Sequence, residues 1–168
     1  PDGIKVIEFN CRFGDPETEV VLPRLESDIF EIFWDVANDI PMPVTKWSSD
    51  AVLGFVLASK GYPGSYKKGF EIKGIDDGLK DSSVKVYHMG TTLKKLGTDS
   101  AQGASADAHE AFDKAGHSLV TNGGRVLMVL ASAPTLKEAH DKALAAVERI
   151  SCDNLFHRTD IGHWAFAD

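Results

Sequence analysis

The residues with the clearest chemical potential lie near the start of the chain, in a segment that alternates like a β-strand. Residues 4–10 read IKVIEFN, so Glu8 and Asn10 share one face with their Cα atoms about 6.6 Å apart. A carboxylate and an amide oxygen at this spacing could both reach one Mg²⁺ ion, which often adds nucleotide phosphates to one or two protein ligands. Arg12 is next in register, where its guanidinium could hold a carboxylate or stabilise a transferred phosphoryl group. Polar residues also cluster at strand ends to face solvent, and this trio alone favours that simpler interpretation.

The segment RFGDPE, residues 12–17, follows directly. Asp15 before Pro16 predicts an N-cap and a first helical position, and the positive end of such a helix could face an anion. Asp15 is therefore a candidate for substrate binding or only a helix cap. Cys11 alternates to the opposite strand face, which favours a small packed residue over a nucleophile.

Composition excludes several classes of protein. The chain has 168 residues, 43% of them apolar, and a formal net charge of −7. We expect no nucleic-acid partner, because such proteins carry basic patches, and no membrane span, because no apolar run approaches about 18 residues. Two cysteines cannot form the disulfide framework of a secreted domain, so we expect a reducing, cytoplasmic location. The chain starts with Pro1 and not with Met, which indicates processing or the later part of a longer protein.

The elements that must position these residues fall into two parts. Ser27 or Asp28 predicts the N-cap of a helix that ends near Asn38, and the prolines at 41 and 43 mark a boundary between residues 1–42 and 43–168. The second part reads as mostly antiparallel strands with one main helix, an α+β fold. We predict strands at residues 51–58, 70–75, 84–89 and 125–131, a helix over 135–150 that opens with a capping box of Thr135 and Glu138, an insertion at about 100–117 with a short helix over 107–115, and an irregular tail or short strand from 154.

Other candidate residues each have a plain structural explanation. Gly123 and Gly124 precede a strand and could bring backbone amides to a phosphate, but a glycine pair there is more often a turn. His88 suits a buried supporting role. His109 and Asp113 stand four apart without a third ligand, which favours surface residues. We interpret the tyrosines beside Pro63, at 62 and 66, as packing residues.

Six motifs, in order along the chain, resemble phosphoribosylamine–glycine ligases, which are ATP-grasp enzymes of purine synthesis. They are VIEFNCRFGDPET (6–18), LPRLESD (22–28), ASKGYPG (58–64), HMGT (88–91), TNGGRV (121–126) and RTDIGH (158–163). The resemblance covers only the C-terminal part of such enzymes: the end of the ATP-grasp domain followed by the C-terminal domain. Most of the ATP site would lie outside this chain. Glu19 departs from the family, which often has Gln at this position.

The resemblance implies an activity and a set of roles. The family joins 5-phosphoribosylamine and glycine through a glycyl phosphate and converts ATP to ADP and phosphate. Glu8 and Asn10 match the Mg²⁺ or Mn²⁺ ligands, and Arg12 matches the arginine beside the glycine and acyl-phosphate site. Arg158 could reach the ribose phosphate, or it could belong to a salt-bridged tail.

The resemblance also bears on partners. We expect small-molecule substrates, a monomeric full-length enzyme and an isolated piece that is inactive. The unpaired strand of such a piece could associate with a second copy. The alternative is a binding or interaction module that keeps the fold without catalysis.

Overall fold

Two antiparallel sheets form the centre of the protein. The structure, a computed structural model, describes residues 3–95, 101–102 and 116–166. The first sheet has the strand order β2-β6-β1-β7, and the second has the order β4-β3-β5. The strands are β1 (Ala51–Ser59), β2 (Val84–His88), β3 (Thr91–Lys95), β4 (Ala101–Gln102), β5 (His117–Thr121), β6 (Arg125–Ala133) and β7 (Leu155–Phe156).

The helices are short apart from two. They are α1 (Thr18–Val21), α2 (Ile29–Ala37), α3 (Ile75–Gly78), α4 (Leu136–Val147) and α5 (His163–Phe166), with a 3-10 helix at Leu22–Arg24. Both predicted caps are confirmed. Asp28 Oδ1 accepts a hydrogen bond from the Phe30 amide at 2.8 Å, and Thr135 Oγ1 accepts one from the Glu138 amide at 3.2 Å. These side chains satisfy amide groups that the first turn of a helix leaves without intrahelical partners.

Strands β1 and β6 form the core because both of their faces are covered. On one face Phe55 and Val129 are fully buried against α4, where Ala139 and Ala143 are also fully buried. The small alanine side chains let the helix lie close to the sheet. On the other face Met128 is buried as well. The continuous apolar runs of these two strands follow from this two-sided burial, and the predicted strands at 51–58 and 125–131 are confirmed.

Helix α1 covers the second face. It packs against β1 and β6. Burial of the Tyr87 ring is the larger of two causes that raise the pKa of its phenol, and the carboxylate charge of Glu19 in α1 is the second. Glu19 therefore lies near Tyr87. Tyr87 alternates with Val86, which faces the α4 side of the sheet, so α1 and α4 lie on opposite faces. The boundary between residues 42 and 43 stays a prediction.

Two bent ribbons connect the sheets. Strand β2 continues into β3 and strand β5 continues into β6, and β2 pairs with β6 while β3 pairs with β5. Both ribbons change sheet at glycines, where the backbones touch: a Cβ on Gly90 would lie 2.8 Å from the Gly123 Cα and 2.5 Å from the Arg125 carbonyl oxygen. Only glycine allows backbones to approach this closely. Strands β3 and β5 were not predicted from the sequence.

Three predictions about elements are wrong. Residues 4–10 form no strand, because no described strand pairs with them, and Ile4 and Phe9 are at least 87% exposed. Residues 70–75 make only single bridges, Glu71 to Val120 and Lys73 to Ser151, before α3 begins. The first helix begins at Thr18 and not at Pro16, and its N-cap, Glu17, makes no side-chain cap bond.

Residues at both ends of the predicted insertion form strands. Its first residues include β4, which pairs with β3, and its last residue, His117, pairs with Lys95 as the start of β5. Residues at both ends of the predicted insertion therefore belong to the second sheet, and its boundaries at about 100 and 117 stay a prediction. The predicted helix over 107–115, with His109 and Asp113, lies outside the described residues.

Replacing Gly90 with alanine tests the contact between the ribbons. The new Cβ meets backbone atoms that cannot move independently, so we expect the free energy of unfolding to fall by about 1–3 kcal/mol. Denaturant unfolding monitored by circular dichroism measures this. Gly54→Ala is the control, because its Cβ would meet the flexible end of Met128, with Sδ at 2.9 Å, and should cost less. Equal stability of the two variants would contradict the close backbone approach.

Candidate active site

The segment with the predicted metal ligands is exposed. Glu8, Asn10 and Arg12 all lie on the surface, in a stretch without regular structure. The Arg12 amide donates to Asn10 Oδ1 at 3.2 Å, and Arg12 Nη1 donates to the Phe13 carbonyl at 2.8 Å. Within the part of the chain that the structure describes, no group of three or more His, Cys, Asp or Glu residues could hold a metal ion. The two predicted oxygen ligands nevertheless suit Mg²⁺ or Mn²⁺, which can draw its remaining ligands from phosphates and water.

Cys11, between the predicted ligands, is exposed. The expectation that it would be packed is wrong, because no strand in the described part of the chain pairs with this segment to cover its second face.

Asp15 is joined to the core by an ion pair that the sequence did not predict. Arg125 Nη1 donates to the Asp15 carbonyl at 3.0 Å, and Arg125 Nη2 donates to Asp15 Oδ2 at 3.0 Å. The carboxylate is used here and does not cap α1, which explains the later start of that helix. The carbonyl of Gly14 accepts instead from the amide of Thr18, at 3.1 Å, and from its hydroxyl.

The glycine pair directly precedes Arg125, so the structure brings Gly123, Gly124 and Asp15 into one region. Ser59 fixes the pair, because its hydroxyl donates to the Gly123 carbonyl and its amide to the Gly124 carbonyl, both at 2.8 Å. A Cβ on Gly124 would lie 2.3 Å from Tyr62 Cδ2. These contacts explain glycine at both positions as a turn and a close approach. Binding of a substrate by the pair stays a prediction.

The two tyrosines that flank the glycine–proline loop, Tyr62 and Tyr66, contact each other. The rings of Tyr62 and Tyr66 meet edge to face with centroids 6.3 Å apart, beside Gly124. His88 is half-buried, and its Nδ1 lies 2.9 Å from Thr91 Oγ1. A supporting role for this histidine agrees with that position.

Arg158 belongs to a salt-bridged tail in this structure. Its Nε donates to Asp160 Oδ1 at 2.8 Å and its Nη2 to Asp160 Oδ2 at 2.6 Å, while 70% of its side chain is exposed. The hydrogen bonds and charge of Arg158 lower the pKa of Asp160, and Asp160 raises the pKa of Arg158 in return. Arg158 makes no described contact with Asp15 or the glycine pair, so its role toward a substrate stays a prediction.

Comparison with known proteins identifies the family. The family described as "Phosphoribosylglycinamide synthetase, C domain" matches residues 52–164, about two thirds of the chain. The chain belongs to this family. The relatives of this synthetase family include a phosphoribosylamine–glycine ligase of Halalkalibacterium halodurans, 44% identical over 99% of this chain and 33% of its own length. A trifunctional purine biosynthetic protein adenosine-3 of Gallus gallus is 41% identical over 99% of this chain and 15% of its own.

A solved structure agrees with the synthetase fold. The crystal structure of a phosphoribosylamine–glycine ligase from Thermotoga maritima superposes with a TM-score of 0.68 at 27% identity, over 93% of this chain and 33% of that one. The chain thus spans about a third of the length of the ligases it matches. This agrees with the expected C-terminal portion of a synthetase. In the described residues, no helix is long and apolar enough to cross a membrane.

Sequence reasoning missed two residues of this region, Ser59 and Arg125. Both lie inside motifs that carried the resemblance, ASKGYPG and TNGGRV. Ser59 is fully buried although it is polar, and Arg125 is an arginine at the start of an apolar strand. A polar residue at the end of an apolar strand is the signal that could have marked each of them.

Replacing Arg158 with glutamine tests the tail salt bridge. We expect the pKa of Asp160 to rise toward its ordinary value of 3.8, because the largest cause of its lowering, the hydrogen bonds from Arg158, is removed. Carboxyl resonances followed by NMR during a pH titration measure this. Asp141 is the internal control, since Lys137 and His140 lower its pKa instead.

The contribution of the Arg158–Asp160 pair to the free energy of unfolding changes with pH in a defined direction. A lowered pKa in the folded state stabilises the protein above the ordinary pKa, and this stabilisation is lost as the pH falls through the folded value. Because both groups are exposed, the effect on stability is small. An Asp160 pKa that is the same in both proteins would contradict the pair in solution.

Proposed function

We propose that this chain is the C-terminal third of an ATP-dependent ligase that joins 5-phosphoribosylamine and glycine in purine synthesis. The observation that carries the proposal is the match to phosphoribosylamine–glycine ligases over 99% of the chain, with Glu8, Asn10 and Arg12 inside the matched region. The product would be glycinamide ribonucleotide, with ADP and phosphate. A module freed from catalysis has no physical need for this trio of residues.

The exposed apolar surface at the start of the chain supports a place within a longer enzyme. Ile4, Ile7 and Phe9 are each at least 87% exposed, and Phe30 and Trp34 of α2 are more than half exposed. The last two rings stack with centroids 6.1 Å apart and line a groove of about 540 Å³. Exposed apolar patches of this kind mark surfaces that contact something else. We infer that the remaining two thirds of the enzyme cover residues 4–10 and α2.

The proposed chemistry has two steps. The glycine carboxylate first attacks the γ-phosphorus of ATP, which forms glycyl phosphate and releases ADP. The amine of 5-phosphoribosylamine then attacks the acyl carbon, loses a proton and expels phosphate. Most contacts to ATP would lie in the part of the enzyme beyond this chain.

The residues of this chain would serve the first step. Glu8 and Asn10 would hold Mg²⁺ or Mn²⁺, and the bound ion would neutralise charge on the nucleotide phosphates. Arg12 would stabilise the charge that develops on the transferred phosphoryl group. The Arg12 guanidinium is exposed and, among the described residues, donates only to the neighbouring Phe13 carbonyl, so it is accessible for this role.

Other residues would position the substrates. The carboxylate of Asp15 suits the ammonium group of bound glycine. Backbone groups of Gly123 and Gly124, and the guanidinium of Arg158, would face the phosphate of 5-phosphoribosylamine. We further propose a monomeric enzyme with a cytoplasmic location, and the two free cysteines support the location.

The proposed function is tested with both the full-length enzyme and this chain. We expect the full-length protein to release ADP over many turnovers only when glycine and 5-phosphoribosylamine are both supplied. Calorimetric titration of Mg-ATP into the 168-residue chain alone should show no binding, because most of the nucleotide site lies elsewhere. ADP release that does not depend on glycine would overturn the proposed reaction. Saturable binding of Mg-ATP to the chain alone would overturn the division of the ATP site.

Replacing Glu8 with alanine in the full-length enzyme tests the metal ligand. We expect the Mg²⁺ concentration for half-maximal activity to rise by at least about tenfold, since even residues that only orient a metal ligand contribute 10- to 100-fold. Initial rates of ADP formation across a Mg²⁺ titration measure this. Glu26→Gln is the control, because Glu26 is an exposed carboxylate outside the candidate site. An unchanged Mg²⁺ dependence for Glu8→Ala would remove Glu8 from the metal site.

A further inference from the structure

We propose that Arg125 is a positioning residue for glycine, which it serves by fixing the carboxylate of Asp15. The inference rests on the proposed function. Neither the metal ligands nor Arg12 contacts the body of the protein through a described side-chain bond. Asp15 does, through Arg125, across 110 residues of sequence. Among the described residues from Glu8 to Asp15, this is the first side-chain hydrogen bond to a residue distant along the chain.

The geometry fixes orientation as well as position. One guanidinium binds both the backbone carbonyl and the side chain of the same residue, at 3.0 Å each. The planar fork of arginine makes such paired contacts directional, which a single ammonium cannot do. The rotation of the Asp15 carboxylate is therefore set relative to its own backbone.

One oxygen of Asp15 stays available. The ion pair uses Oδ2, and Oδ1 makes no hydrogen bond within the described part of the chain. About half of the Asp15 side chain is exposed. An ionised carboxylate in this state can accept a hydrogen bond from an ammonium group, such as that of glycine.

Arg125 is the rigid partner in its contact with Asp15, which we call the clamp. Arg125 begins β6 and pairs with Ala58 of β1, and the glycines before it are held by the buried Ser59. The side chain of Arg125 is 32% exposed, so it projects from the edge of the core. The sheet therefore serves as the fixed reference, and Asp15 is the part that is positioned.

Stability alone does not account for this pair. Ion pairs with this degree of exposure contribute little to the free energy of unfolding. Helix α1 also packs on the sheet, and backbone bonds join Arg24 and Glu26 to the segment around Trp47. Loss of the clamp should leave α1 in place and release only the carboxylate.

The test uses Arg125→Gln and Arg125→Lys in the full-length enzyme. For Arg125→Gln we expect the KM for glycine to rise by at least about tenfold, since a charged hydrogen-bond partner is lost. The KM for Mg-ATP and the melting temperature should stay close to those of the wild type. Arg125→Lys keeps the charge without the fork and should recover part of the affinity for glycine. Steady-state kinetics with each substrate varied in turn, and thermal unfolding, provide the readouts.

Arg24→Gln is the matched control. Arg24 also donates from its guanidinium to a carbonyl distant in sequence, that of Ser48 at 3.0 Å, but it does not contact Asp15. The KM for glycine of the Arg24→Gln enzyme should equal that of the wild type. An unchanged glycine KM in Arg125→Gln, or an equal rise in the KM for Mg-ATP, would overturn the inference. Failure of the proposed function is distinct from these outcomes, because the wild-type enzyme would then show no glycine-dependent release of ADP.

Discussion

The antiparallel pairing of β1 with β6, buried on both faces, is the constraint on which the rest of the structure depends. Phe55 and Val129 on one face, and Met128 on the other, are shielded from water only if something covers each side of the sheet. Burial of large apolar side chains contributes about 1.5–3 kcal/mol each, so both covers are strongly favoured. Helix α4 provides one and α1 provides the other. The second cover brings the segment after Arg12 to the edge of the sheet.

This arrangement links packing to the candidate site. Because α1 must lie on β1 and β6, the residues just before α1 reach the start of β6, which is Arg125. The same end of the sheet holds the bend of the two ribbons, where Gly90 and Gly123 touch. The glycines permit the bend, and Ser59 fixes it by a hydrogen bond to Gly123. Arg125, which follows the bend, then binds Asp15 and fixes its position. Core packing therefore determines where the carboxylate of Asp15, a candidate substrate-binding group, lies.

The start of the chain follows a different physical rule. Its apolar residues, such as Ile7 and Phe9, have the alternation of a strand, but the described residues offer no strand to pair with them. A strand needs the backbone groups of a neighbour, whereas a helix such as α2 satisfies its own. This explains why α2 forms as predicted while residues 4–10 do not. Helix α2 forms although its Phe30 and Trp34 side chains stay exposed to solvent.

Local pattern was sufficient for elements whose causes are local. The apolar runs of β1 and β6, the caps at Asp28 and Thr135, and the stripe of α4 were all readable from neighbouring residues. The residue types of Glu8, Asn10 and Arg12 suggested a metal and phosphoryl-transfer site, but this role stays a prediction, because residues 4–10 do not form the strand that the spacing assumed. The weakly patterned strands β3 and β5 were missed, since their stability comes from pairing with each other and from the ribbons that they continue.

The sequence by itself determined the main secondary structure, the family and the residue types of the candidate site. Only the tertiary structure decided that Asp15 would meet Arg125 and leave the helix start to Glu17. The physical reason is distance along the chain. Caps and periodicity act within a few residues, whereas the contact between Asp15 and Arg125 exists only after the register of β1 and β6 and the cover of α1 have brought the two ends together.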